Sequence, residues 1–187
     1  MGRWWLAAPL LCLPGVTVAQ SDGRGVQVQV SGGVVAFPGA DVGPGAAWGI
    51  SAGLAPWEAL EVELGYQGAA YTADALVPSQ STAALQNGGY GALKLAAGAR
   101  SVRPYLLAGI GISHINAVDE SIEGDAIQDD TIGKAPVGLG VDVRFDVFSL
   151  GLRGTYDFVF FNQFALQTGT ARGADQLFGS LNLGATF

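Results

Sequence analysis

The last twelve residues, Gln176 to Phe187, read QLFGSLNLGATF, and their pattern decides the fold. Leu177, Gly179, Leu181, Leu183, Ala185 and Phe187 fall on one side of a period-2 alternation. Gln176, Phe178, Ser180, Asn182, Gly184 and Thr186 fall on the other. This is a β-strand with one apolar face and one face dominated by small or polar residues. A soluble domain seldom ends on such a strand with an exposed aromatic as its last residue.

Upstream, the alternation recurs seven times. Leu150, Leu152, Tyr156, Phe158 and Phe160 oppose Gly151, Arg153, Thr155 and Asp157. Before a short turn at Val147 to Ser149, Pro136 to Asp146 sets Val137, Leu139, Val141, Val143 and Phe145 against Gly138, Gly140, Asp142, Arg144 and Asp146. Pro104 to Asn116 (PYLLAGIGISHIN) sets Leu106, Ala108, Ile110 and Ile112 against Gly109, Gly111 and Ser113. Gly89 to Arg100 alternates Leu93, Leu95 and Ala97 with Tyr90, Lys94 and Arg100. Leu60 to Thr72 alternates Leu60, Val62, Leu64 and Tyr66 with Glu61, Glu63, Gly65 and Gln67. Ala46 to Ala55 and Gly25 to Phe37 complete the set.

Eight strands of this length suit tilted bilayer crossings, and their connections sort by length. Those after the first, third, fifth and seventh strands are long: PGADVGPG, Ala73 to Gly88, Ala117 to Gly133, and Phe161 to Ala174. The other three are short. Short turns at one end and long loops at the other predict an all-β, eight-stranded antiparallel up-and-down transmembrane β-barrel. The aromatics are expected in two girdles. Phe37, Trp48, Tyr71, Tyr90, Phe160 and Phe161 lie at the long-loop ends; Trp57, Tyr105, Phe148 and Phe187 lie at the short-turn ends.

The front of the chain reads as a secretory signal peptide over residues 1–19, with the barrel domain over 20–187. Arg3 is the basic residue, Trp4 to Val16 the apolar core, and Thr17-Val18-Ala19 the small-residue cleavage site. Cys12 is the only cysteine and goes with the leader, so the mature chain has no disulfide, thiolate nucleophile or Cys-ligated metal. Leu11 before it is not the small residue a lipoprotein signal needs. Without Arg3, eight basic residues face sixteen acidic ones, a net charge near −8, which argues against nucleic acid as a partner.

The chain resembles the small eight-stranded outer-membrane barrels, in the style of the OmpA transmembrane domain, OmpX and OmpW. The resemblance rests on the ARSVRPYLLAGIGIS passage and the terminal LNLGATF, and covers essentially the whole mature sequence. It implies a bacterial outer-membrane location among lipid and lipopolysaccharide. It also implies a monomeric state and delivery by periplasmic chaperones to the barrel-assembly machinery. Leu181, Leu183 and Phe187 would form the assembly signal. No peptidoglycan-binding domain is expected after the barrel, so a cell-wall tether is not implied.

With the apolar face toward lipid, the polar face points inward and carries Glu61, Glu63, Lys94, Arg100, Asp142, Arg144, Asp146, Arg153 and Asp157. Eight strands leave an interior that side chains fill, so these charges are expected to form an ion-pair network rather than line a channel. The function expected is structural or surface-directed, with no cofactor and no catalysis. The alternatives are a narrow OmpW-like transporter, disfavoured because the inner face reads as polar or tiny, and a soluble lipocalin-like barrel with its apolar face inward.

Two stretches carry weaker signals. His114 is the only histidine, and outer-membrane lipid deacylases pair a His with a nearby Ser on a barrel strand. Here Asn116 stands at the HxS position and Ser113 points to the opposite side, so His114 reads as an interfacial polar residue. In DESIEGDAIQDD, Asp119, Glu123, Asp125 and Asp130 are a candidate metal set, with Ser121 and Gly124 in a loose calcium-loop spacing. Asp130 replaces the usual bidentate Glu, which favours a solvated acidic loop.

Overall fold

The computed structural model describes residues 25–38, 42–74, 81–97, 101–117, 130–160 and 175–187. The expected leader lies outside these residues. Eight strands follow in chain order: β1 (Val26–Ala36), β2 (Gly45–Trp57), β3 (Leu60–Asp74), β4 (Ser81–Ala96), β5 (Val102–Ala117), β6 (Asp130–Phe145), β7 (Phe148–Phe160) and β8 (Gln176–Thr186). Each pairs antiparallel with its neighbours in sequence, and β1 pairs with β8 to close the barrel.

The alternation of long and short connections is present. Two strands nevertheless start earlier than expected: β4 at Ser81 instead of Gly89, and β6 at Asp130 instead of Pro136. In both extensions small and polar residues blur the alternation, and pairing partners on neighbouring long strands carry the ladder beyond it.

Closure follows from the register. Paired residues lead once around the barrel from Val26 through Leu54, Val62, Leu93, Ala108, Val137, Tyr156 and Leu177 to Ala36. The path leaves β1 at position 26 and rejoins it at position 36, a stagger of ten residues. At about 3.3 Å per residue and about 4.8 Å between strands, this tilts the strands by roughly 40°. Every backbone ladder is thereby satisfied within the ring, which is what an apolar surround requires.

The apolar face is outside. Leu64, Leu106, Ile110 and Leu139 are all more than 60 % exposed, and Val30, Ile50, Leu93, Leu152, Leu181 and Leu183 lie open on the same outer wall. A lipocalin-like arrangement needs this face inward and is not adopted. An extra residue in β2 between Leu54 and Trp57 shifts the register and turns Trp57 to the outside. Trp57, Phe145, Phe148 and Phe187 are exposed at the short-turn end, and Trp48 and Tyr66 are exposed farther up the wall.

Four aromatics expected in the girdles face inward instead. Phe37, Tyr71 and Tyr105 are buried, and Tyr90 is half-buried with its hydroxyl in the interior network. Their strand parity places them on the inner wall, which overrides the preference of aromatic rings for the interface. Phe161 lies outside the described residues.

Candidate functional site

The candidate site is the filled interior, built in layers from the short-turn end upward. At the bottom, Gln27 of β1 donates from Nε2 to Ser149 Oγ of β7 at 2.9 Å. Arg144 of β6 reaches Gln27 Oε1 at 3.4 Å. Asp142 is buried, and among the described residues it makes no ion pair within 4.0 Å.

Above this layer sits the main ionic cluster. Glu63 of β3 takes a two-pronged hydrogen bond from Arg153 of β7, at 2.7 Å to Oε1 and 2.8 Å to Oε2. Glu63 Oε2 also pairs with Lys94 Nζ of β4 at 2.9 Å, and Lys94 donates to Glu61 Oε1 at 3.0 Å. Tyr90 donates to Glu63 Oε1 at 2.7 Å, and Arg153 Nε donates to the Tyr105 hydroxyl at 3.1 Å. Lys94 Nζ lies 4.8 Å from the Tyr105 ring centre, a cation over an aromatic face. Glu63 and Lys94 are each 1 % exposed. Such burial is tolerable only because each charge is paired and its remaining capacity is hydrogen-bonded.

Two glycines make this cluster fit. Gly65 pairs directly with Tyr90, and Gly140 with Tyr105. A Cβ at either position would collide with the facing ring, so the glycines let both tyrosines lie flat against the neighbouring strand.

The next layer joins opposite walls. Lys134 of β6 pairs with Asp157 of β7 at 3.3 Å and donates to Gln67 Oε1 of β3. Both Asp157 oxygens lack a protein hydrogen bond of good geometry. Asp157 lines a small cavity of about 40 Å³, together with Gln67, Tyr90, Leu107, Arg153 and Ser180. A cavity of this size has room for water, which could reach the buried carboxylate. Higher still, Gln86 of β4 and Gln176 of β8 exchange reciprocal amide hydrogen bonds at 3.0 and 2.8 Å.

An apolar layer closes the long-loop end. Val35, Phe37, Ala69, Tyr71, Ala84, Ile115, Ile132 and Phe178 pack as one buried cluster. The Phe37 and Tyr71 rings meet at 4.5 Å, tilted by 54°. The inner face is therefore not simply polar or tiny, as the sequence reading holds: its outer end is hydrophobic and packed.

Of the expected network residues, Glu61, Glu63, Lys94 and Arg153 come together directly. Asp142 and Arg144 face inward at the lower end, and Asp157 sits higher with Lys134. Asp146 does not belong to the interior. It is exposed in the two-residue turn between β6 and β7 with φ at 56°. A tight hairpin turn demands a left-handed residue, and Asp is one of the few that accept it. Arg100 lies outside the described residues.

Sequence reasoning misses Lys134, because an alternation that starts at Pro136 does not include it. Extending the alternation back from Asp142 by twos reaches Lys134 and Ile132 and would find both. It also missed the glutamine pair, which becomes visible only once β4 includes Gln86. His114 is exposed on the outer wall, with Nδ1 3.0 Å from Thr131 Oγ1, whereas Ser113 is buried inside. Asp119, Glu123 and Asp125 lie outside the described residues, and Asp130 opens β6. Leu181 and Phe187 project outward, and Leu183 lies beside β1 Val30 on the same wall.

No protein-family model matches the chain, and no curated protein does. Several solved structures do. Neisserial surface protein A aligns with a TM-score of 0.62 at 18 % identity over 89 % of this chain and 98 % of that one. The N-terminal β-barrel domain of Pseudomonas aeruginosa OprF aligns with a TM-score of 0.56 at 16 % identity over 88 % and 98 %. Ail, the attachment invasion locus protein of Yersinia pestis, in its complex with the heparin analogue sucrose octasulfate, aligns at 0.52 with 13 % identity over 87 % and 96 %. At these identities the likeness speaks for architecture, and it agrees with the closed antiparallel ring: the chain has the fold of the small eight-stranded outer-membrane β-barrels.

Proposed function

We propose that the protein is an integral outer-membrane barrel with a structural or surface-interaction role and no through-passage for solutes. The observation that carries this reading is the interior itself. An interlocked ionic cluster spanning β3, β4 and β7, a glutamine clasp and an apolar outer layer fill the lumen in succession. The cavity beside Asp157 has room for water but not for a metabolite, which weighs against a narrow transporter. In planar bilayers the purified protein is expected to show no stable, porin-sized conductance. A persistent current of that size would overturn the reading.

The neighbours include a surface protein and an attachment invasion locus protein, which supports a surface-directed role. Periplasmic chaperones and the barrel-assembly machinery are the partners during biogenesis, lipopolysaccharide and lipid those of the mature, monomeric barrel. Phe187 supports this: its backbone N–H and C=O pair reciprocally with Val26 at 2.9 and 3.1 Å, so the terminal residue sits at the β1–β8 seam. Deleting Phe187 is expected to slow insertion into the outer membrane several-fold in a pulse-chase protease-protection assay. Insertion at the parental rate would remove it from the assembly signal.

A further inference from the structure

The outer wall carries four polar side chains that neither the closure of the barrel nor its filled interior uses. Asn87 of β4, His114 of β5 and Thr131 of β6 are consecutive partners in register. Tyr66 of β3 joins them by donating its hydroxyl to Asn87 Oδ1. His114 Nδ1 and Thr131 Oγ1 lie 3.0 Å apart, and in the tautomer in which the hydroxyl donates, the imidazole carries its hydrogen on Nε2. In that tautomer two donors have no hydrogen-bond partner among the described residues: the Asn87 amide Nδ2 and His114 Nε2–H.

Their height is set by β5. Its outward residues Val102, Pro104, Leu106, Ala108, Ile110 and Ile112 run unbroken from the short-turn end to His114. Ten residues at the strand tilt cover roughly 25 Å, the height of the apolar band of such barrels, so the polar group begins where hydrocarbon ends. Below it, the outward positions of β4 are Gly89 and Gly91, where an added Cβ would meet only ordinary contact, with Gly65 O and the Leu64 side chain. Tyr66 and Leu64 wall this strip on one side, Ile112 and Ile110 on the other, by direct pairing. No lysine, arginine or carboxylate occurs among the four polar residues. The donors therefore suit a neutral carbonyl better than a phosphate.

We propose that Asn87 and His114, oriented by Tyr66 and Thr131, bind the ester or amide carbonyls of an outer-leaflet acyl lipid whose chain lies along Gly89 and Gly91. The proposal rests on the outer-membrane placement, which retained heat-modifiable gel mobility reports separately. The test is competition between two probes, diester and diether phosphatidylcholine of equal chain length, in mixed micelles with the folded full chain, read by native mass spectrometry. The ether lipid lacks only the carbonyls. The parent protein is expected to retain the ester lipid about tenfold over the ether, as two hydrogen bonds imply. Asn87→Ala with His114→Ala is expected to abolish the preference with gel mobility unchanged. Gly91→Leu, which fills the strip, is expected to lower retention of both lipids. No preference in the parent protein, no retention of either lipid, or a preference that survives in the double variant would overturn the proposal.

Discussion

Glu63→Leu is expected to destabilise the folded barrel by about 3–5 kcal/mol, the cost of leaving a buried charge without its partner. Glu63 is the hub: it binds Arg153 through both oxygens and Lys94 through one. Its loss leaves Lys94 with Glu61 but leaves Arg153 only hydroxyl and amide partners in Tyr90, Tyr105 and Gln29. The measurement is reversible urea unfolding in lipid vesicles. Adding Arg153→Met is expected to recover much of the loss, because an apolar pair of similar volume fills the same space without an orphaned charge. Arg144→Met, which removes one long hydrogen bond at the short-turn rim, should change stability by less than about 1 kcal/mol. Equal losses for Glu63→Leu and Arg144→Met would contradict the hub.

Tyr71→Ala is expected to cost a further large amount, about 3–5 kcal/mol, by opening a cavity in the apolar outer layer. Tyr71 is 5 % exposed and its ring packs on Phe37. The second consequence concerns access. Ser180 lines the internal cavity, beneath that layer. A Ser180→Cys thiol should resist a water-soluble reagent added from the loop side in the parent background and react readily once Tyr71 is alanine. Introduced with Glu63→Leu, the same thiol should stay protected, since the apolar layer is intact. Equal reactivity in all three backgrounds would mean that the layer does not seal the barrel.

The fold was legible because the outward face keeps a strict period of two, and a one-residue slip would turn that face inward. A strand whose outer face is largely Val, such as Val26 to Ala36, could be placed to within a residue or two. The extensions of β4 and β6 could not: Thr82 to Gly88 and Thr131 to Ala135 mix small, polar and apolar residues on both sides. The charges of the site were legible as inward-facing groups, but their pairing was not. Glu63 meets Arg153 across the lumen from β3 to β7, a contact fixed by barrel radius and stagger and absent from local sequence. The inward turn of Phe37, Tyr71 and Tyr105 was readable from parity alone, yet an aromatic at a strand end reads equally as girdle. The glycines that face Tyr90 and Tyr105 were visible as glycines, but their purpose depends on register.

The central claim is that the Leu/Val/Ile wall lies in hydrocarbon. The mature sequence is expected to contain no cysteine, so single cysteines at Leu64, Leu106, Leu139 and Leu152 can each carry a fluorophore on that wall. In vesicles, nitroxide-bearing lipids should quench all four labels, and iodide in the water should quench none. Quenching by iodide with no response to the lipid nitroxides would contradict the claim.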